Sequence, residues 1–130
     1  MRRFVNPGNT AFEVAVNSQI YVDKTGLLAY TNSVINTKQA LICSSRPRRF
    51  GKSITADMLC AYYSRGCDSD SIFASYEIAK SDYYKKHLNQ YDVIYLDIQW
   101  CMMDAGSAEQ TVSYLNYHVI EELKEIYPQI

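Results

Sequence analysis

The amino-acid sequence predicts an α/β fold in which a partial parallel β-sheet is flanked by helices. Two short apolar runs, Ala40 to Ser44 and Asp92 to Ile98, have the composition of buried strands. Segments with apolar residues three to four positions apart follow both runs, and this spacing is typical of helices. Strand and helix patterns that alternate along one chain favour a parallel sheet joined by right-handed crossovers.

The first third of the chain is predicted to contain a turn, a strand, a helix and the first buried strand. Residues 7–9, with the sequence Pro-Gly-Asn, have the composition of a turn. The segment from Ser18 to Lys24 alternates enough for a short strand, and Lys24 to Asn36 follows as a helix with an apolar side. The run from Ala40 to Ser44 comes next and would lie inside the sheet.

The segment after Lys52 has the spacing of a helix. Ile54, Met58 and Tyr62 recur every four residues, and Gly66 is suited to end the helix. A polar loop follows, and residues 80–90 show a weaker helical pattern. The central part of the chain is therefore predicted to be helical.

The last part of the chain combines the second buried strand with the clearest helix pattern. The strand, Asp92 to Ile98, is rich in β-branched and aromatic residues. A capping box at Ser107 to Gln110 indicates where the helix begins. Apolar residues continue at helical spacing to Ile126, and Pro128 lies just past the end.

Length, charge and cysteine usage limit the class of the protein. A chain of 130 residues suits one domain, and a formal net charge of −1 argues against polyanion binding by the molecule as a whole. The four cysteines contain no C-x-x-C pair, which argues against a zinc site and a disulfide framework. Cys43 and Cys60 lie in apolar runs, so we expect them to be buried free thiols.

The sequence also predicts a cellular setting. The basic N-terminus is not followed by the apolar region of a secretory signal, and no apolar run approaches the roughly 18 residues of a membrane span. We therefore expect a cytoplasmic protein without a membrane partner. Two or three strands are few for a doubly wound sheet, so we also expect the chain to be a fragment of a longer protein.

The segment from Ser45 to Ser53, SRPRRFGKS, has the outline of a phosphate-binding loop. It follows a buried-strand pattern, ends in Gly-Lys-Ser and opens a helix, which is the context that such a loop requires. In these loops the lysine reaches the β- and γ-phosphates, and the Ser or Thr hydroxyl binds Mg²⁺. The usual first glycine is replaced by Arg46, so the strict pattern G-x-x-x-x-G-K-[ST] is not met.

Four positively charged side chains in this loop indicate that it binds an anion. Arg46, Arg48, Arg49 and Lys52 fall within seven residues, directly before or at the start of the predicted helix. Positive charge at a helix N-terminus opposes the helix dipole unless an anion is bound there. Pro47 would fix the loop in place of the missing glycine. A surface turn whose arginines are merely solvated stays open as an alternative.

Three motifs together resemble the bacterial AAA-ATPase-like family. They are SRPRRFGKS (45–53), YVDKTGLL (21–28) upstream and YDVIYLDIQ (91–99) downstream. Members of that family have an R-P-R-R-F-G-K-[ST] loop in place of the ordinary Walker A motif. The resemblance runs from about Phe4 through the final helix. It implies that residues 1–130 are the N-terminal part of a P-loop NTPase-like domain, commonly followed by a PD-(D/E)XK nuclease-like domain.

The resemblance also implies a site for ATP and Mg²⁺. The residues that would hold the nucleotide are Arg46, Pro47, Arg48, Arg49, Phe50, Gly51, Lys52, Ser53 and Ile54, with Ser53 binding Mg²⁺. Asp97, at the end of VIYLD, is a weaker candidate for the metal-binding Walker B acid. The family's own Walker B motif, apolar-D-E-Y-D-K-P, does not occur in this sequence, so Asp97 alternatively caps a neighbouring strand. Asp23 and Lys24 match the family's V-D-K-T motif and have no assigned role.

Three functions remain open from the sequence. The leading hypothesis is an ATP-binding domain that does not hydrolyse ATP as this chain alone, with no catalytic residue assigned. The second is a nucleic-acid-associated module, in which the loop cations bind backbone phosphates and Phe50, Tyr62 and Tyr63 stack on bases. The third is a protein-interaction module with a degenerate nucleotide site. Nucleic acid through the full-length protein and a homo-oligomer are the further partners expected.

Overall fold

The computed structural model describes residues 4–17, 23–43 and 52–128, and most of these lie in helices. The α-helices in chain order are α1 Thr10–Val16, α2 Gly26–Val34, α3 Lys52–Tyr63, α4 Asp70–Phe73, α5 Tyr84–His87, α6 Ile98–Ala105 and α7 Ala108–Ile126. Two 3₁₀ helices, Lys38–Ala40 and Glu77–Lys80, lie between them. Within the described residues, β-pairing is limited to two isolated bridges, Val5 with Ile94 and Ser64 with Tyr91.

The predicted parallel sheet is wrong, because the described part of the chain is mostly helical and contains no β-strand. In the run that begins at Ala40, that residue ends a 3₁₀ helix and Leu41 is 95% exposed. The run from Asp92 is irregular as far as Asp97, and Ile98 begins α6. Most of the predicted strand from Ser18 lies outside the described residues.

The physical reason is that strand composition describes a side chain's fit to a half-buried pleated surface, and that surface is not provided here. Ile94 and Leu96 are exposed, so the apolar run does not enter a core. Its backbone pairs with a short segment near the N-terminus: the Tyr95 amide donates to the Phe4 carbonyl and the Asn6 amide donates to the Val93 carbonyl, each at 2.7 Å. A short apolar run therefore misled the sequence interpretation.

Three of the predicted helices are confirmed. α2 lies within the predicted segment from Lys24 to Asn36, and α3 begins at Lys52. α7 begins after Ser107, whose Oγ accepts the Gln110 amide at 3.3 Å, as one half of a capping box requires. The sequence spacing of apolar residues was thus a reliable guide to these helices.

The chain divides into two compact units. One consists of Met1–Pro7 and Asp92–Ile130, and the other of Gly8–Tyr91. The discontinuous unit has a small core of Phe4, Val5 and Cys101. Partly buried side chains of α6 and α7 pack against that core: Trp100, Tyr114, Leu115, Val119, Leu123 and Ile126.

The continuous unit, Gly8–Tyr91, has the larger core, and α3 supplies its centre. Met58, Ala61 and Tyr62 of α3 are almost completely buried. Around them lie apolar side chains from the other elements of the unit: Phe12, Leu28, Phe73, Ile78, Tyr84 and Leu88. The Phe12 and Phe73 rings stack at 5.2 Å between centroids, and the Tyr62 ring meets Phe73 edge-on at 5.5 Å. These contacts fix α3 within the unit.

None of the helices in the described ranges is long and apolar enough to cross a membrane.

Candidate functional site

The candidate site is organised around the N-terminal end of α3. Between Ile54 and Tyr63, only Ile54 is exposed, at 42% of its side-chain surface. One broad side of the helix buries Thr55, Met58, Ala61 and Tyr62, and Cys60 is buried on the other side. A helix buried on most of its surface has little freedom to shift. The core therefore holds the start of α3 in a defined position.

The structure places part of the predicted nucleotide segment at this helix start. Lys52 and Ser53 are the first two residues of α3, so Gly-Lys-Ser leads directly into a helix as a phosphate-binding loop requires. The side chains of these two residues are not among the described ones. The rest of the predicted loop lies outside the described residues: Arg46, Pro47, Arg48, Arg49, Phe50 and Gly51. Binding by these side chains stays a prediction.

Asp57 is a half-buried acid one turn beyond Ser53 on α3. Its carboxylate makes no hydrogen bond or ion pair with another described residue. Burial raises the pKa of this carboxyl above its ordinary value, because a charged group loses hydration without gaining a partner. Burial and then the nearby Asp57 charge raise the pKa of the Cys60 thiol to about 12. The sequence interpretation did not single out Asp57.

Asp97, the weaker metal candidate, has a different visible role. It precedes α6, and its Oδ1 accepts the backbone amide of Trp100 at 3.0 Å. This is the geometry of a helix N-cap. The alternative foresaw a capping role, although for a strand rather than a helix. Metal binding by Asp97 stays a prediction.

The described residues contain no group of three or more His, Cys, Asp or Glu side chains arranged to hold a metal ion. Mg²⁺ is commonly held by one or two protein ligands together with waters and substrate phosphates, rather than by a cage of protein side chains. A site of that kind would not show as a group of protein ligands alone, and Mg²⁺ binding by Ser53 stays a prediction.

A family model described as AAA-ATPase-like, "Predicted AAA-ATPase", matches residues 8–129. The chain belongs to the AAA-ATPase-like family. The match confirms the family resemblance drawn from the three motifs and covers the continuous unit and most of the other. No curated protein and no solved structure matches the chain.

The V-D-K-T motif of this AAA-ATPase-like chain has a structural role that the sequence did not reveal. Asp23 Oδ1 accepts hydrogen bonds from the Thr25 amide at 2.8 Å and the Thr25 hydroxyl at 2.7 Å. Asp23 Oδ2 accepts the Glu77 amide at 3.1 Å, and Thr25 Oγ1 accepts the Ile78 amide at 3.2 Å. The motif thus connects the start of α2 to the 3₁₀ helix Glu77–Lys80. Lys24 is exposed.

These bonds also set the ionisation of Asp23. Burial opposes its charge, but the hydrogen bonds from Thr25 and Glu77, with help from the charge of Lys80, outweigh it. The pKa of Asp23 is therefore lowered. A carboxylate that accepts three hydrogen bonds is stabilised in its charged form, so Asp23 contributes to the fold as an anion.

The tyrosines considered for base stacking are engaged in packing within the AAA-ATPase-like chain. The Tyr62 hydroxyl donates to the Tyr84 carbonyl at 2.8 Å and accepts from Asn32 Nδ2 at 3.0 Å. The Tyr63 hydroxyl lies 2.6 Å from Thr31 Oγ1 and donates to Asn32 Oδ1 at 2.7 Å. The Tyr62 ring is completely buried and so is not available to stack on a base, and the Tyr63 ring packs edge-on against Tyr62 and Tyr91.

His87 lies in a polar part of the sequence, but the structure buries it. Its side chain is buried, and Nδ1 lies 2.6 Å from the Tyr91 hydroxyl. The two rings are stacked, with centroids 5.8 Å apart. Burial, and then the charge of Lys86, lower the pKa of His87, so the ring is held neutral near pH 7. The polar sequence around it hid this packing position.

Proposed function

We propose that this AAA-ATPase-like chain is an ATP-binding domain. It binds the nucleotide phosphates through Arg46 to Ser53, and Ser53 supplies a ligand to the accompanying Mg²⁺. Two findings support the proposal: family membership over residues 8–129 and the start of α3 at Lys52. The helix start is the observation on which the proposal mainly rests, because Lys52 and Ser53 then belong to the first turn of a helix.

A phosphate group fits the start of α3 for two reasons. The first amide groups of a helix have no partner within the helix, and they carry the positive end of its dipole. Such an N-terminus favours anions, and phosphates above all. The loop adds three arginines and Lys52 to this end, so an unliganded site would repel itself. A bound triphosphate removes that repulsion, and arginines can hold its oxygens in pairs of hydrogen bonds.

The proposed Mg²⁺ neutralises charge on the nucleotide phosphates when it is bound. Ser53 would contribute its hydroxyl, and the nucleotide and water would provide the other ligands. The chain's own part is to hold the phosphates at α3 and to offer this one oxygen.

We expect binding without turnover from the 130-residue chain. The sequence contains no apolar-D-E-Y-D-K-P motif, so it supplies no acid of the kind that family members use at the metal. A phosphate-release assay checks this directly. Release by the pure chain that Lys52→Ala abolishes would contradict this part of the proposal.

The proposed setting of the protein is the bacterial cytoplasm, with a nuclease-like domain, nucleic acid and a homo-oligomer as features of the full-length form. The free state of Cys43, Cys60, Cys67 and Cys101 is consistent with a reducing compartment. The other features rest on the resemblance to the AAA-ATPase-like family.

Thermal unfolding with and without Mg²⁺ and ATP tests the proposed function. A ligand at 100 times its Kd stabilises a folded protein by about 2.7 kcal/mol, so the Tm of the wild type should rise by several degrees. Lys52→Ala should remove the rise. Lys38→Ala, which deletes an exposed lysine outside the loop, is the matched control and should retain it.

Two results, one from this experiment and one from a DNA-binding assay, would overturn the proposal. The first is a Tm that Mg²⁺ and ATP leave unchanged in the wild type at millimolar concentration. The second is salt-dependent binding of DNA that is indifferent to ATP, which would instead favour the nucleic-acid-associated module.

A further inference from the structure

We propose that Asp57 is the acidic partner of the nucleotide-bound Mg²⁺ and acts through one of the water ligands of the ion. The inference rests on the proposed function and adds a residue to the same site. The proposed ATP site has a hydroxyl for the metal, Ser53, but no assigned acid. The structure offers Asp57 for that role.

The register of α3 puts Asp57 on the same side of the helix as Ser53. The two residues are four positions apart, and side chains at that spacing lie one above the other. Side chains in a helix also tilt towards its N-terminus, so a residue covers the turn that precedes it. Asp57 therefore lies over the turn of α3 that begins at Ser53.

Asp57 differs from the other acids of the continuous unit. Three of them already accept hydrogen bonds from described residues: Asp23, Asp68 and Asp70. Three others are exposed to solvent: Glu13, Glu77 and Asp82. Only Asp57, among the described acids of this unit, is half-buried without a described partner.

The unfavourable free energy of burying the Asp57 carboxylate without a described partner indicates that a cation binds near it. A carboxylate that loses hydration without a compensating charge or hydrogen bond disfavours folding. Removing Asp57 should therefore not harm the unliganded protein. A hydrated divalent ion one turn away would supply both a charge and water donors, and so a partner that the described residues do not provide.

An arginine of the loop is the competing partner, and the metal dependence of ATP binding separates the two. The affinity for ATP is measured by calorimetry with Mg²⁺ and with EDTA in its place. If Asp57 holds a water of the ion, Asp57→Asn should reduce the gain in affinity that Mg²⁺ provides. Loss of a residue that supports a metal ligand typically costs about 10- to 100-fold in metal affinity.

The affinity for metal-free ATP should stay the same or rise in Asp57→Asn, because the variant removes a negative charge near the phosphates. Asp82→Asn removes an exposed carboxylate of the same unit and should leave both affinities unchanged. The Tm of unliganded Asp57→Asn should equal or exceed that of the wild type, which a merely structural role would not produce. Asp57→Ser is the second variant, with the same expected loss.

The inference is overturned if both Asp57 variants retain the full gain from Mg²⁺. It is also overturned if they weaken ATP binding equally with and without the metal, as loss of an arginine partner would. Wild-type protein that binds ATP in a manner dependent on Lys52 would keep the proposed function in both cases. Wild-type protein that does not bind ATP would overturn the proposed function and the inference together.

Discussion

Asn89 and Ser69 each donate one hydrogen bond to the other. The Asn89 Oδ1 accepts the Ser69 amide at 2.9 Å, and its Nδ2 donates to the Ser69 hydroxyl oxygen at 3.3 Å. The same Nδ2 lies 3.0 Å from the Ala61 carbonyl oxygen and 2.8 Å from that of Ser64. These carbonyls belong to the C-terminal end of α3, where the helix itself offers no donors. The pair therefore caps the end of the helix whose other end begins the proposed ATP site.

Asn89→Ala should destabilise the continuous unit strongly. The backbone of Asn89 has a φ of 55°, which costs alanine about 1 kcal/mol or more. The lost side chain leaves buried partners unsatisfied, and each such group costs about 1–3 kcal/mol. We expect a total of about 3 kcal/mol, measured by urea unfolding.

Asn36→Ala is the matched control for this loss. Asn36 also has a positive φ, of 64°, but it is exposed. Asn36→Ala should therefore lose only the free energy that alanine costs at a positive φ, about 1 kcal/mol. Equal losses in the two variants would show that the hydrogen bonds of Asn89 contribute nothing.

The lowered pKa of Asp23 should make the free energy of unfolding depend on pH in the acidic range. Because its pKa is lowered in the folded protein, Asp23 contributes stability above its unfolded value of about 3.9, and this contribution is lost as pH falls through the lower folded value. Asp23→Asn should cost about 1 kcal/mol at pH 7, because the amide nitrogen that replaces one carboxylate oxygen cannot accept a hydrogen bond, and it should show a weaker fall in stability below pH 4. Urea unfolding between pH 2.5 and 7 measures both effects. Parallel curves for wild type and variant would contradict the role given to Asp23.

The four cysteines should differ sharply in reactivity. Cys43 is exposed, which corrects the expectation that it is buried, whereas Cys60 and Cys101 are buried. The raised pKa of Cys60, about 12, also leaves little thiolate to react at neutral pH. Cys67 is partly buried. Ellman's reagent should therefore show a fast phase whose amplitude falls by one thiol in Cys43→Ser, while Cys60 and Cys101 react only after unfolding. A fast phase of unchanged amplitude in Cys43→Ser would show that this assignment of exposure is wrong.

Asp97 can be tested separately as a cap and as a metal ligand. Asparagine caps a helix about as well as aspartate, so Asp97→Asn should keep the stability of the wild type, while Asp97→Ala loses about 1 kcal/mol. Asp97→Asn should also keep the Mg²⁺ dependence of ATP binding. A tenfold loss of that dependence would instead support the prediction that Asp97 binds the metal.

Helices were predictable in this chain where apolar residues recur over several turns. The spacing of Ile54, Met58 and Tyr62 sufficed to place α3, and Ser107 with Gln110 marked the start of α7. Periodicity over ten or more residues is a strong local signal, since several side chains must agree.

The other features depend on contacts between residues that are far apart in the sequence, so local sequence patterns could not predict them. The apolar runs at Ala40 and Asp92 resemble strands, but no adjacent strand in the described chain completes a sheet. Asn89 caps α3 although it lies 28 positions beyond Ala61, so no short sequence motif predicts this cap. Asp57 was overlooked because a polar residue within a helix pattern looks solvated until the burial of the whole helix is known.

The most direct test of the account is calorimetric titration of ATP with Mg²⁺ into the 130-residue chain and its Lys52→Ala variant. The wild type should show saturable binding at one site per chain. In Lys52→Ala the affinity should fall at least about tenfold, which corresponds to about 1.4 kcal/mol. Binding that is equally strong in both proteins would place the nucleotide elsewhere. No binding in the wild type would contradict the proposal that the arginine-rich loop before α3 is a nucleotide site.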